Sequence, residues 1–213
     1  MRTYVDNIIS VDLTAPDSAA VAKAAAALAN GEAVVFPTDT VYGIGVAAGE
    51  GRVPDLLFEL KRRDRSQTIP WLVASPDDLA RFGRDVPACA RNLAERFWPG
   101  PLTLVVRASD AVPSPFAGGD GTIALRMPDS PVSLALMDAL GAPLAATSAN
   151  IHARPAVNDS AALDPELASL VPIVLAGGVI EGGLPSTIVS CSGRTPTVLR
   201  EGSITSSQIA AAC

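Results

Sequence analysis

The sequence predicts a one-domain α/β fold (α+β in its mixture of strand directions) with antiparallel pairs among parallel strands. Three observations carry this expectation. Helix and strand signals alternate along the chain. A hairpin-like spacing late in the chain, Thr187–Ser190, Ser192-Gly193-Arg194, then Thr195–Leu199, implies an antiparallel pair. The 213 residues are 48% hydrophobic and 18% charged, enough to bury a core and too apolar for a disordered chain. No repeat or low-complexity linker divides the chain, so residues 1–213 are expected to form a single domain.

Each element has its own local reason. Pro16, Asp17 and Ser18 open a helix that runs through the alanine-rich stretch and stops at Gly31. Ala33–Phe36 reads as a short buried strand. Val53–Lys61 reads as a helix, with Leu56, Leu57 and Leu60 on one face. Ile69–Ala74 is a strand. Ser75-Pro76-Asp77-Asp78 starts a helix, with a capping hydroxyl, proline at the first position and acids in the first turn. Ala88–Phe97 is a helix stopped by Trp98-Pro99-Gly100-Pro101, and Leu102–Arg107 is the strand after it. Ile123–Arg126 is a strand, and Asp129-Ser130-Pro131 caps a helix to Leu140. Pro143–Thr147, Pro172–Leu175, Thr187–Ser190 and Thr197–Leu199 complete the strands, and a short helix follows Ser206. The Pro/Gly-rich segment Pro113–Gly121 is the expected mobile loop.

Composition excludes several functions. Sixteen basic residues against 22 acidic ones give −6, which opposes a general nucleic-acid coat. Three cysteines exclude a disulfide scaffold. Cys89 and Cys191 read as ordinary core or half-buried thiols, and Cys213 as part of a frayed last turn. No Cys/His cluster suggests zinc, and no metal ligands are assigned. No signal peptide or long apolar run is present, so a cytoplasmic protein with no membrane association is expected. The single histidine, His152, reads as a loop residue. Neither a GxSxG elbow nor a P-loop accompanies it.

The chemistry-bearing residues fall at strand ends, where ligands of open α/β sheets sit. After the first strand come Thr38, Asp39 and Thr40, with Gly43 and Gly45 placed to let a ligand approach the backbone, or simply a turn capped by Asp39. Lys61-Arg62-Arg63-Asp64-Arg65 holds four of the sixteen basic residues, as a helix cap or an anion clamp. Arg126 lies on an otherwise apolar strand and needs a partner, either an acid or an anionic ligand. Thr147-Ser148-Ala149-Asn150, Ser186-Thr187 and Arg200-Glu201-Gly202 add hydroxyls, an amide and a guanidinium. Together these form a pocket for an anionic, hydrogen-bonding ligand.

Taken in order, the segments PTDTVYGIG (37–45), Lys61-x-Arg63, WPGPLTL (98–104), ALRMP (124–128), TSAN (147–150), STIV (186–189) and Arg200-x-Gly202 resemble the YrdC-like family, the threonylcarbamoyl-AMP synthases. The resemblance implies a twisted mixed sheet flanked by helices around a concave, positively lined cavity. It implies that L-threonine and bicarbonate form an N-carboxylated threonine, which attacks the α-phosphate of ATP, with Mg2+, to release pyrophosphate. A downstream tRNA threonylcarbamoyl transferase complex would pass the group to adenosine 37 of tRNA. It puts Thr38, Thr40, Lys61, Arg126, Ser148 and Ser186 near threonine or its carbamate. It puts Arg63, Thr122, Asn150, Asn158 and Arg200 near ATP, with Lys61 and Arg63 as the catalytic pair. His152 and Ala153 stand where the family often has serine and glycine, Asp64 where proline is common after the arginine, and Glu201 in place of a common proline. An RNA-binding member without adenylation activity, in direct contact with tRNA, is one alternative. A paralogue with a different acyl or carbamoyl substrate is another, and a carbamoyl-adenylate step in a maturation pathway a third.

Overall fold

A computed structural model describes residues 7–62, 68–151 and 154–213. In chain order the elements are β1 (Ile8–Ser10), α1 (Ser18–Ala29), β2 (Val34–Pro37), β3 (Tyr42–Ala47), α2 (Asp55–Lys61), β4 (Trp71–Leu72), α3 (Asp78–Phe82), α4 (Ala88–Phe97), β5 (Leu102–Arg107), β6 (Thr122–Arg126), α5 (Pro131–Leu140), β7 (Leu144–Ser148), α6 (Pro165–Ser169), β8 (Ile173–Ala176), β9 (Thr187–Ser190), β10 (Thr197–Arg200) and α7 (Ser206–Ala212). The described strands form one sheet in the order β1-β8-β2-β3-β7-β4-β6-β5-β9-β10. Pairing is mixed: β1–β8, β8–β2, β4–β6 and β5–β9 are parallel, and the other neighbours are antiparallel. The expected α/β class with antiparallel pairs is therefore what forms.

Successive strand residues point to opposite faces, and the core divides accordingly. Val34 and Phe36 join one apolar cluster with Val21, Leu28, Val132 and Leu136 of α1 and α5. Val35, Ile44, Val46, Trp71 and Leu104 join the other, with Leu57, Phe58, Leu93 and Ile209 from α2, α4 and α7. Asp17 caps α1 by accepting from the amides of Ala19 and Ala20, and Ser130 caps α5 by accepting from Ser133, as the sequence led us to expect.

Several elements differ from the sequence reading. β1 and β3 were not anticipated. Tyr42–Ala47 carries two glycines and reads locally as a turn, but it lies between β2 and β7 with all six residues buried. The helix expected from Val53 begins at Asp55, because Pro54 occupies its cap. The strand expected over Ile69–Ala74 narrows to Trp71–Leu72, flanked by Pro70 and the Ser75-Pro76 turn. Pro113–Gly121 is no free loop. Ser114–Phe116 forms a 3-10 turn, and buried Phe116 packs edge-on against Trp71, with ring centroids 5.2 Å apart. Cys89 and Cys213 are not separate thiols but a disulfide, their Cα atoms 4.5 Å apart. The last turn is docked rather than frayed: Thr205 and Gln208 form a capping box, and Ile209 packs into the core against α4. Cys191 is buried as expected. Among the described residues no helix is long and apolar enough to cross a membrane.

Candidate functional site

The sheet ends converge on a concave cavity of about 230 Å3. β2 stops at Pro37, and the hairpin to β3 closes in four residues. Within it, the Thr38 hydroxyl donates to Val41 O (2.7 Å) and lies 3.0 Å from the Thr40 hydroxyl. These bonds hold both threonines at the cavity wall, buried in the protein but facing the opening.

Arg126, at the end of β6, reaches the same wall. Its Nη1 donates to Thr40 Oγ1 (3.0 Å), its Nη2 to Asp39 Oδ1 (2.5 Å) and its Nε to Gly100 O (3.0 Å). Because the Thr38 proton goes to Val41 O, Thr40 Oγ1 is the donor to Thr38 Oγ1 while it accepts from Arg126. The Trp98–Pro101 turn earns its place by delivering the Gly100 carbonyl. Trp98 itself is buried and donates its ring N–H to Leu102 O (2.7 Å). The acid expected as one of two possible partners for Arg126 is thus Asp39. The pair is nearly dry, with side-chain exposures of 8% and 12%.

Opposite stands Arg200, on β10. It donates from Nε and Nη2 to Ser186 O (3.1 and 2.8 Å) and from Nη2 to Ser186 Oγ (3.2 Å). Ser186 Oγ lies 2.9 Å from Thr103 Oγ1. Among the described residues Arg200 has no carboxylate partner. Burial, and then the neighbouring Arg126 guanidinium, push its pKa down. A guanidinium remains charged regardless. The cavity therefore concentrates two cations around one neutralising carboxylate, and an entering anion relieves their repulsion.

A third cluster adjoins β7. Lys61 is buried and donates to Ser148 O, to Asn150 Oδ1 (2.9 Å) and to Ser148 Oγ (3.3 Å). Ser148 Oγ in turn donates to Asn150 Oδ1 (2.5 Å). One ammonium at the end of α2 thus fixes the Ser148–Asn150 turn.

Of the residues singled out from the sequence, Thr38, Thr40, Arg126, Ser148, Ser186 and Arg200 line the cavity. Lys61 and Asn150 reach it through Ser148. Two do not line it. Thr122 is buried with its hydroxyl donating to Asp120 Oδ1 (2.6 Å). Asn158 donates to Ile180 O (3.1 Å) and braces the loop whose Gly183 amide donates to Thr40 O (3.0 Å). Arg63 and His152-Ala153 lie outside the described residues. Gly45 serves packing rather than a ligand: a Cβ there would meet the Phe36 ring at 3.0 Å and Ala145 O at 3.1 Å. Gly43 does line the cavity. Sequence reasoning missed Thr68 and Thr103 and treated Asp39 only as a turn cap. Thr103 carried a signal, as a hydroxyl on an otherwise apolar strand directly after the proline-rich turn.

Comparison with known proteins agrees with this fold. Residues 26–202 match the Sua5/YciO/YrdC family, described as telomere recombination. The chain belongs to that family. Threonylcarbamoyl-AMP synthase of Bacillus subtilis is 36% identical over 211 residues, 99% of this chain and 60% of that protein. The synthase of Pyrococcus abyssi is 35% identical over 181 residues, 85% of this chain and 53% of that protein. The crystal structure of P. abyssi Sua5 complexed with L-threonine superposes with a TM-score of 0.90 at 33% identity, covering 96% of this chain and 60% of that one. The chain thus spans a little over half the length of these relatives. The sheet described above is that of the family's fold.

Proposed function

We propose that the chain is an L-threonylcarbamoyladenylate synthase, using L-threonine, bicarbonate and ATP. The observation that carries this reading is the pairing, in one cavity, of two guanidiniums (Arg126 and Arg200) with a row of hydroxyls from Thr38, Thr40, Ser148 and Ser186. In this reading the threonine amine condenses with bicarbonate to give the carbamate, and water leaves. A carbamate oxygen then attacks the α-phosphorus of ATP and pyrophosphate leaves. No protein nucleophile is needed, so the contribution is positioning and charge stabilisation.

Thr38, Thr40, Lys61, Arg126, Ser148 and Ser186 would hold threonine and its carbamate. Arg200 and Asn150, with Thr122 and Asn158 further out, would face the nucleotide, and Arg63 is assigned to the same ligand. Lys61 and Arg63 would act on the reacting groups. Among the described residues no group of three or more His, Cys, Asp or Glu side chains is placed to hold a metal ion, so magnesium enters this reading with the nucleotide as substrate. The residues are read as one domain, since β1 and β10 from the two ends of the chain edge the same sheet. A cytoplasmic site of action is part of the proposal, as is a partner transferase that passes the product's threonylcarbamoyl group to adenosine 37 of tRNA.

The test is pyrophosphate release from ATP and magnesium, with mass detection of the adenylate. Release that requires both threonine and bicarbonate supports the proposal. ATP binding without threonine-dependent release overturns it in favour of another acyl substrate, and RNA binding without ATP binding in favour of an RNA-binding member.

A further inference from the structure

The parallel pair β5–β9 has a recess at each end. Thr103 and Ser186, at its start, line the cavity. At its far end lies a separate groove of about 390 Å3, lined by Arg84, Arg107 and Arg194 together with Asp85, Ser192 and Gly193. Arg107 lies four residue steps beyond Thr103, so the two residues stand about 13 Å apart along the strand.

Three features distinguish this groove from an ordinary solvated surface. The chain carries a net charge of −6, yet three of its sixteen basic residues meet here. Some exposed arginines find carboxylates, as in Arg62–Glu166 at 2.6 Å and Arg154–Asp164, while Arg91 donates to Val86 O and Arg96 lies over the Phe97 ring. Arg107 and Arg194 pair with none among the described residues, and Arg84 stands only 3.6 Å from fully exposed Asp110, a contact of the kind that contributes little. The backbone here is also fixed by the sheet. The Arg84 amide donates to Arg107 O (2.8 Å), Gly83 bridges Ala108, and the Cys191 amide donates to Val105 O (2.8 Å). Arg194 sits on the turn between β9 and β10. The volume lies in the range of small-ligand sites. Guanidiniums present forked donors that match phosphate oxygens, and the Ser192 hydroxyl adds another donor. Asp85 is the one acid of the lining, and it leaves the groove net positive.

We propose that this groove is a second anion site, separate from the cavity, for a ligand carrying two or more phosphate groups. That chemistry comes from a free oligophosphate or from consecutive phosphates of a single-stranded RNA. The inference does not depend on the synthase reading.

Two probes test it: inorganic tripolyphosphate by titration calorimetry, and a labelled single-stranded RNA dodecamer by fluorescence anisotropy at several salt concentrations. Each is applied to the unmodified protein and to the double variant Arg107→Ala/Arg194→Ala. The variant is expected to lose one tripolyphosphate equivalent, or to bind RNA about tenfold or more weakly with a shallower salt dependence. Loss for tripolyphosphate alone assigns a free oligophosphate, and loss for RNA assigns a phosphodiester chain. Arg107→Lys/Arg194→Lys, which keeps charge but not the fork, should bind with intermediate affinity. Unchanged stoichiometry and affinity for both probes in a double variant that melts at the unmodified temperature overturn the proposal.

Discussion

Arg126 is held by three groups of different kinds: a carboxylate, a hydroxyl and a main-chain carbonyl. Each removes one direction of freedom from the guanidinium, so its remaining edge faces the cavity in one orientation. Asp39 supplies the compensating charge in a nearly dry pair. Removing one partner of such a pair leaves an uncompensated charge. Asp39→Asn is therefore expected to cost about 3 kcal/mol of stability, read from denaturant unfolding, and to weaken ligand binding in the cavity. An unchanged unfolding midpoint would mean that the pair is solvated and weak. At this scale the sequence was half legible. A lone charge on an apolar strand announced that Arg126 needed a partner. That the partner is Asp39 required β2 and β6, separated in the sheet by β3, β7 and β4, to bring their ends together.

The turn after β10 shows how an element positions a side chain. The Thr187 hydroxyl donates to Ile204 O (2.6 Å) and accepts from the amides of Gly202 (2.9 Å) and Ile204 (3.0 Å). Gly202 thereby lies against the chain before β9, where a Cβ would come 2.0 Å from Pro185 O. Gly202→Ala must displace backbone at Ser186, the residue that Arg200 holds. It is expected to destabilise the fold by about 2 kcal/mol or more and to lower nucleotide affinity together with it. Thermal melting and a nucleotide titration would check both, and a loss of stability with intact affinity would break the link. The glycine was legible as part of a motif, while the crowding that demands it was not. Phe116 makes a second case. Proline and glycine around it suggested a mobile loop, yet its ring fills a space beside Trp71. Phe116→Ala is expected to cost about 3–5 kcal/mol, measured by urea unfolding. A cost near zero would restore the free-loop reading.

For the molecule as a whole, the Cys89–Cys213 bond joins residues 124 apart and ties α7 to α4. Thiol titration of the unreduced, denatured protein should therefore count one thiol, that of Cys191, rather than three. In the folded protein Cys191 should resist alkylation, since burial pushes its thiol up to about 11. Reduction should lower the melting temperature by several degrees, on the order of 2–4 kcal/mol for a loop this long. A reducing compartment would keep the pair open. What the sequence by itself determined is local: alternating helices and strands, the caps at Asp17 and Ser130, the α/β class, and small polar and basic residues at strand ends. These follow from propensities and periodicities that act over a few residues. Only the tertiary structure decided that Tyr42–Ala47 is a central strand, that Asp39 belongs to Arg126, that Thr122 and Asn158 stand outside the cavity wall, and that Arg84, Arg107 and Arg194 share a groove. Those outcomes depend on which strands become neighbours. That is settled by burying both faces of one sheet at once, a contest among residues far apart in the chain.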